Sequence, residues 1–251
     1  MELENTGAAS LGDGGLLTDD ILPSLPAWVA RISYRIPFVH TVPVRRKGML
    51  GVSKGVYWQR TAKRWAHQGG MGLQIYPKST YRSAGKMVVL WDVSGSMSDS
   101  IDLYAAWLYG LVQRHRQLGV FPFGTDVDDV TEAMRAPFPF VRARLRNYER
   151  LWIGGTNMGC VLSTWMARFQ NGWLGSNTTM VIISDGWDVG SPEDVKRVLH
   201  ELRSRGIRLI WINPLMGTPG FEPRTRTLLA ALPYLDGMYS GHTVEALLSL
   251  S

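Results

Sequence analysis

Asp92, Ser94, Ser96 and Ser98 stand at every second position, directly after the apolar run Met87–Trp91. A second aspartate, Asp185, closes another apolar run in "TTMVIISD", and Thr156 follows a glycine pair in "WIGGTN". Asp92, Ser94, Ser96, Thr156 and Asp185 are two carboxylates and three hydroxyls, all hard oxygen donors. Magnesium prefers such a set, with manganese or calcium next; zinc and copper favour imidazole and thiolate. Side chains at i, i+2 and i+4 of an extended turn can converge, and Gly95 is expected to let the backbone curl around their centre. Five protein donors cannot all bind directly and still leave room for a partner. The hydroxyls are therefore expected to bind directly, with one or both aspartates acting through waters. One position then stays open for a carboxylate from another molecule.

Asp and Ser also favour turns for their own sake, but five oxygen donors in register are more than a turn requires. The histidines, His40, His67, His115, His200 and His242, are scattered without metal-ligand spacing. Hydrolytic chemistry is not expected. A haloacid-dehalogenase-type phosphatase begins with D-x-D after its strand, and here Ser94 replaces the second acid. There is no G-x-S-x-G elbow and no G-x-x-x-x-G-K-[ST] phosphate loop, so any ATPase would be supplied by a partner. A general acid or base needs a titratable group free to act, and both aspartates are committed to the ion. The expectation is a binding protein rather than an enzyme.

Positioning these residues requires a particular scaffold. "KMVVLWD", "GVFPFG", "TTMVIISD" and "IRLIWIN" read as strands, and continuous apolar runs suit parallel strands buried on both faces. Helices are expected between them. "SIDLYAAWLYGLVQRHRQL" carries Ile101, Ala105, Leu108 and Val112 near one face. "VRARLRNYERL" is basic, "NMGCVLSTWMARFQ" follows the glycine pair, and "TVEALLSL" closes the chain. "SPEDVKRVLHELRSRG" has Ser191 as N-cap, Pro192 in the first turn, acids at the positive end of the dipole and Gly206 as stop. Alternating strands and helices imply an α/β fold, a doubly wound and mostly parallel sheet with helices on both faces. Ligands of such sheets sit beyond the carboxyl ends of the strands, where Asp92 and Asp185 both fall.

The order "DVSGSMS", "GGTN", "SDG" at strand ends resembles the metal-ion-dependent adhesion site of von Willebrand factor A (VWA) domains. The resemblance covers residues 85–251. It implies that Asp92, Ser94 and Ser96 come from a first loop, Thr156 from a second and Asp185 from a third. "FGT", "WIGGTNMG", "VIISDGWDVG", "LIWINPL", "ALPYLD" and the upstream "RRKG" resemble CoxE-type VWA proteins in particular. That narrower resemblance implies work beside a MoxR-type AAA+ ATPase in maturing a metalloenzyme client, such as the molybdenum–copper carbon monoxide dehydrogenase.

The net charge of +6 is unevenly distributed. Residues 1–20 hold five acids and no Lys or Arg, and are expected to be a disordered tail. Residues 21–91 hold 12 Lys and Arg and no acid, while residues 92–251 are nearly balanced. A basic extension over residues 21–84 therefore precedes the main domain, 85–251. Within it "PVRRKGML" and "LQIYP" read as short strands and "YWQRTAKRWAHQ" as a basic amphipathic helix. A basic block over 31–86 suits an acidic partner: a protein surface, a membrane surface or, as the alternative reading, nucleic acid. It serves equally as a solvated face. No run of 18 apolar residues suggests a membrane span, and the acidic N-terminus does not read as a secretory signal. With one cysteine, Cys160, no intrachain disulfide can form, which fits a cytoplasmic setting. Cys160 itself reads as a small buried hydrophobe. Asp188 reads as a turn residue or, as the alternative, a support behind the donors, and Trp187 as either a partner contact or core. Arg142, Arg144, Arg146 and Arg150 are either a clamp for an acidic partner or a solvated helix face.

Overall fold

The computed structural model describes residues 25–33, 41–45, 58–67, 69, 80–145, 155–175 and 177–251. The expected tail, the "LQIYP" strand, Arg146 and Arg150 lie outside these residues. Ahead of the main sheet, β1 (Thr41–Arg45) pairs antiparallel with β2 (Thr80–Ala84), and α1 (Trp58–His67) falls between them in sequence. The main sheet has β3 (Lys86–Asp92), β4 (Leu118–Phe123), β5 (Thr178–Ile183), β6 (Arg208–Asn213) and β7 (Gly237–Ser240). Its order is β4-β3-β5-β6-β7, and every pairing is parallel. The helices are α2 (Ile101–Arg114), α3 (Thr131–Arg135), α4 (Phe138–Leu145), α5 (Met158–Trp173), α6 (Pro192–Ser204), α7 (Arg226–Ala231) and α8 (Val244–Ser249).

The unbroken apolar runs are explained by burial on both faces. Val89, Trp91, Val181, Ile183, Ile210 and Ile212 point to one side, where Ala105, Leu108, Leu111 and Val112 of α2 and Leu247 of α8 cover them. Val88, Leu90, Met180, Ile182, Leu209 and Trp211 point to the other, against Val161, Leu162 and Trp165 of α5, Val195 and Leu199 of α6 and Leu228 of α7. Burial of each large apolar side chain stabilises the fold by roughly 1.5–3 kcal/mol. From β3 the chain crosses by α2 to β4 on one flank; β5, β6 and β7 are laid down on the other, with α5, α6 and α7 on the face opposite α2 and α8. The direction reverses between β3 and β5, so their carboxyl ends open into the crevice where doubly wound sheets bind ligands.

Several expectations need correction. The sheet has a fifth strand, β7; Gly-Met-Tyr-Ser is too short and too exposed at the sheet edge to carry an apolar signature. β2, α3 and α7 were likewise not foreseen, being only five or six residues long. α2 stops at Arg114, and the helix expected from residue 141 begins at Phe138. Cys160 is exposed, not buried: α5 turns Met158, Val161, Leu162 and Trp165 inward, which leaves 160 and 164 on the outer face. Among the described residues no helix is long and apolar enough to cross a membrane.

Candidate metal centre

The first loop leaves β3 at Asp92, which is fully buried. The Ser94 amide donates to Asp92 Oδ1 at 3.0 Å, closing an Asx turn within two residues. Ser94 is extended (φ −63°, ψ 165°), and the 3-10 turn Gly95–Ser100 follows. That turn is pinned by the buried Met97, whose amide donates to the Ser94 carbonyl at 2.9 Å. It brings Ser96 Oγ to 3.2 Å from Ser94 Oγ. Ser98 is exposed and reaches toward its neighbour Asp99. Gly95 does not have the role expected of it. Its φ is not positive, and a Cβ there would meet nothing within 4 Å. The Asx turn and the Met97 anchor shape this loop instead.

The second loop delivers Thr156, buried, with Oγ1 3.5 Å from Asp92 Oδ1. Its carbonyl accepts from the Val189 amide at 3.0 Å, which joins the second loop to the third. Asn157 then caps α5 by accepting from the Cys160 amide. In the third loop Asp185 follows β5. Its carbonyl accepts from Asn213 Nδ2 at 3.1 Å, and its Oδ1 accepts from the Trp187 amide at 2.8 Å. Gly186 is left-handed (φ 82°), and a Cβ there would lie 2.9 Å from Thr225 Oγ1, so only glycine turns the chain at this point.

Of the five anticipated donors, Asp92, Ser94, Ser96 and Thr156 are linked by these short contacts. Asp185 approaches from the neighbouring strand, close enough for its charge to be felt at Asp92. Two further residues support these donors, and the first of them, Ser184, carries no motif of its own in the sequence. The Ser184 hydroxyl donates to Asp92 Oδ2 at 2.7 Å and accepts from the Gly186 amide at 3.0 Å. A signal for it existed: once β3 and β5 are set in register, Trp91 opposes Ile183, and the next pair is Asp92 with Ser184. Asp188 takes the supporting role over the simple turn: it is a three-way brace. It accepts from the amides of Met158 (3.0 Å) and Gly190 (3.1 Å) and from Thr227 Oγ1 (2.9 Å). It thereby ties the start of α5, the third loop and α7 together. Trp187 is 65% exposed, which removes the core alternative. Arg142 and Arg144 lie on α4.

Burial pushes the Asp92 carboxyl up to about 6, against the Ser184 and Ser94 hydrogen bonds that favour the anion, and Asp185 adds like charge. Two neighbouring carboxylates under apolar cover, faced by neutral hydroxyls, form a site that a hard dication would neutralise. Among the described residues no cluster of three or more His, Cys, Asp or Glu could hold a metal. A hydroxyl-rich set with only two carboxylates suits magnesium or manganese and gives zinc nothing soft to bind. The residues present therefore fit a divalent cation with oxygen ligands.

The chain was compared with known proteins. The sequence model of a family described as VWA domain containing CoxE-like protein matches residues 38–247. No curated protein matches the chain. Among solved structures, an aerotolerance-related membrane protein from Bacteroides fragilis is 17% identical, with 66% of this chain and 96% of that one covered and a TM-score of 0.44. The conserved protein BatB from Bacteroides thetaiotaomicron is 14% identical, with 66% and 97% covered and a TM-score of 0.42. The manganese-loaded TRAP protein of Plasmodium vivax is 18% identical, with 60% and 73% covered and a TM-score of 0.40.

Proposed function

This chain belongs to the family of CoxE-like VWA-domain proteins, and from that premise we propose that it is a metal-dependent protein-binding adaptor. Asp92, Ser94, Ser96, Thr156 and Asp185 hold one divalent cation, magnesium in the first instance. The observation that carries this reading is the convergence of the first two loops on one buried carboxylate, with Thr156 Oγ1 3.5 Å from Asp92 Oδ1 and the third loop's Asp185 within electrostatic reach. A bound cation supplies a Lewis-acidic point whose free position takes a Glu or Asp side chain from a partner. The protein's own part is to fix the donors beforehand. Ser184 and the Ser94 amide orient Asp92, Asn213 and the Trp187 amide hold Asp185, and Asp188 braces the loops that carry Thr156 and Asp185.

The activity is recognition rather than turnover. In support, Asp92 is already engaged through both oxygens, so it is not free as a general acid or base. The finer proposal is an adaptor between a MoxR-type AAA+ ATPase and a metalloenzyme client in the cytoplasm, supported by membership of the CoxE-like family and the lack of a phosphate loop in this sequence. The basic segment adds electrostatic steering toward an acidic surface. On α1, Ala62 to His67 are all exposed, including Lys63, Arg64 and Trp65. That exposed basic-aromatic stretch also supports the second reading, nucleic-acid association. Under it, DNA or RNA binding would fall steeply with salt and ignore chelator.

The test is capture of partners from the native host, with magnesium and with chelator, using wild type and Asp92→Ala. Partners are expected only with wild type in magnesium. Recovery of the same partners in all four samples would sink metal-gated binding.

A further inference from the structure

Beside the metal centre lies a groove of ≈ 390 Å³, and Asp185 lines it as well as the ion site. Trp187, Leu215, Phe221 and Leu228 supply its apolar wall. Trp187 is 65% exposed and Leu215 41% exposed, so two large apolar side chains stand open to solvent next to the ion site. The other charged lining residues, Glu222 and Arg224, are paired with each other at 2.8 Å. The groove therefore offers a ligand apolar contact, while the cation in the centre next to it, neutralised overall by Asp92 and Asp185, would offer an open coordination position for an anionic oxygen. Complementarity to both features calls for one carboxylate and one large apolar side chain a short distance apart. In an extended segment, side chains at i and i+2 lie on the same face, about 6–7 Å apart. Because Asp185 borders both features, a segment whose carboxylate reaches the ion brings its i+2 or i−2 side chain over the groove.

We infer that the groove takes an apolar side chain of the same partner segment whose carboxylate completes the metal centre. The recognised element is an extended stretch with Asp or Glu and a large apolar residue two positions away. This inference rests on the metal-centred reading above and specifies the partner chemistry.

Fluorescence anisotropy with labelled synthetic peptides tests it on the full chain. The peptides carry one Asp with Phe two positions before or after it, and controls replace Phe by Ala or Asp by Asn. In magnesium, one of the Asp/Phe peptides is expected to bind at least about tenfold tighter than its Asp/Ala control, the size of effect that burial of one large apolar side chain produces. Leu215→Ala should reduce that margin while leaving calorimetric magnesium binding and Asp/Ala affinity unchanged, because the change adds no charge beside Asp185. Trp187→Ala should reduce it and serves as the second variant, since both side chains are exposed and their loss leaves the core intact. Equal affinity for the Phe and Ala peptides in magnesium would overturn the groove inference and leave the metal reading standing. A Phe preference that survives chelator and the Asp-to-Asn control would also overturn the inference alone, because the groove would then act without an ion, whereas no calorimetric magnesium binding by wild type would overturn the metal reading and the inference with it. No binding of any peptide by magnesium-loaded protein would overturn the inference alone.

Discussion

The loops after β3 and β5 start alike: each follows a buried apolar strand and each presents an aspartate. They are built differently. The first loop is held largely from within. Asp92 accepts from the amide two residues on, and Met97 anchors the turn in the core beneath. The third loop is held from outside. Asn213 of β6 supports Asp185, Trp211 Nε1 donates to the Ser184 carbonyl at 2.8 Å, and Thr227 of α7 donates to Asp188. The two meet through a single short bond, Ser184 Oγ to Asp92 Oδ2. A donor on a self-contained turn can be recognised from local spacing, whereas a donor on a borrowed scaffold depends on elements 27 to 39 residues further along the chain. In the first loop, burial pushes the Asp92 carboxyl up to about 6.

Breaking the first loop should give the largest effect. Asp92→Asn keeps the acceptor for the Ser94 amide but cannot ionise, so calorimetric magnesium binding is expected to vanish. Stability should move the other way. The native carboxyl is raised from 3.8 to about 6, so its stabilising contribution is complete below the ordinary value and is lost as pH rises through about 6. In chelator at pH 7 the Asn variant is therefore expected to be more stable than wild type by up to about 3 kcal/mol. Urea unfolding should show that gain disappearing toward pH 4. A variant less stable than wild type at pH 7 would contradict the account of a buried, poorly solvated carboxylate. In wild type, magnesium affinity should weaken as pH falls through about 6, because the proton competes with the ion for Asp92.

Cutting the tie between the loops should matter next. Ser184→Ala removes the hydroxyl from Asp92 Oδ2 and is expected to weaken magnesium binding by roughly 10–100-fold, the usual range for a group that orients a metal ligand. An unchanged titration curve would show that the two loops are set independently. The smallest effect is expected in the third loop. Gly186→Ala imposes a left-handed conformation on a residue with a Cβ and crowds Thr225, the cap of α7. A loss of about 1–2 kcal/mol in urea unfolding is expected. Magnesium binding should survive, because β5 and Asn213 still position Asp185.

The buried strands and their aspartates were legible in the amino-acid order because burial on both faces requires long apolar runs, and such runs are visible locally. Ser191 and Gly206 marked α6 for the same reason: caps and stops act within a few residues. β7, α3 and α7 were not legible, since segments of four to six residues hold their shape through neighbours rather than propensity. Cys160 shows the same limit, because which side of α5 faces inward depends on where the sheet lies. By itself, then, the sequence determined the parallel core and the types of donor at its carboxyl edge. Only the tertiary structure decided that Ser184 and Asp188 orient those donors and that an apolar groove adjoins them. Those contacts join residues about 30 to 90 positions apart, and spacing along the chain carries no information about such distances until the strands are placed side by side.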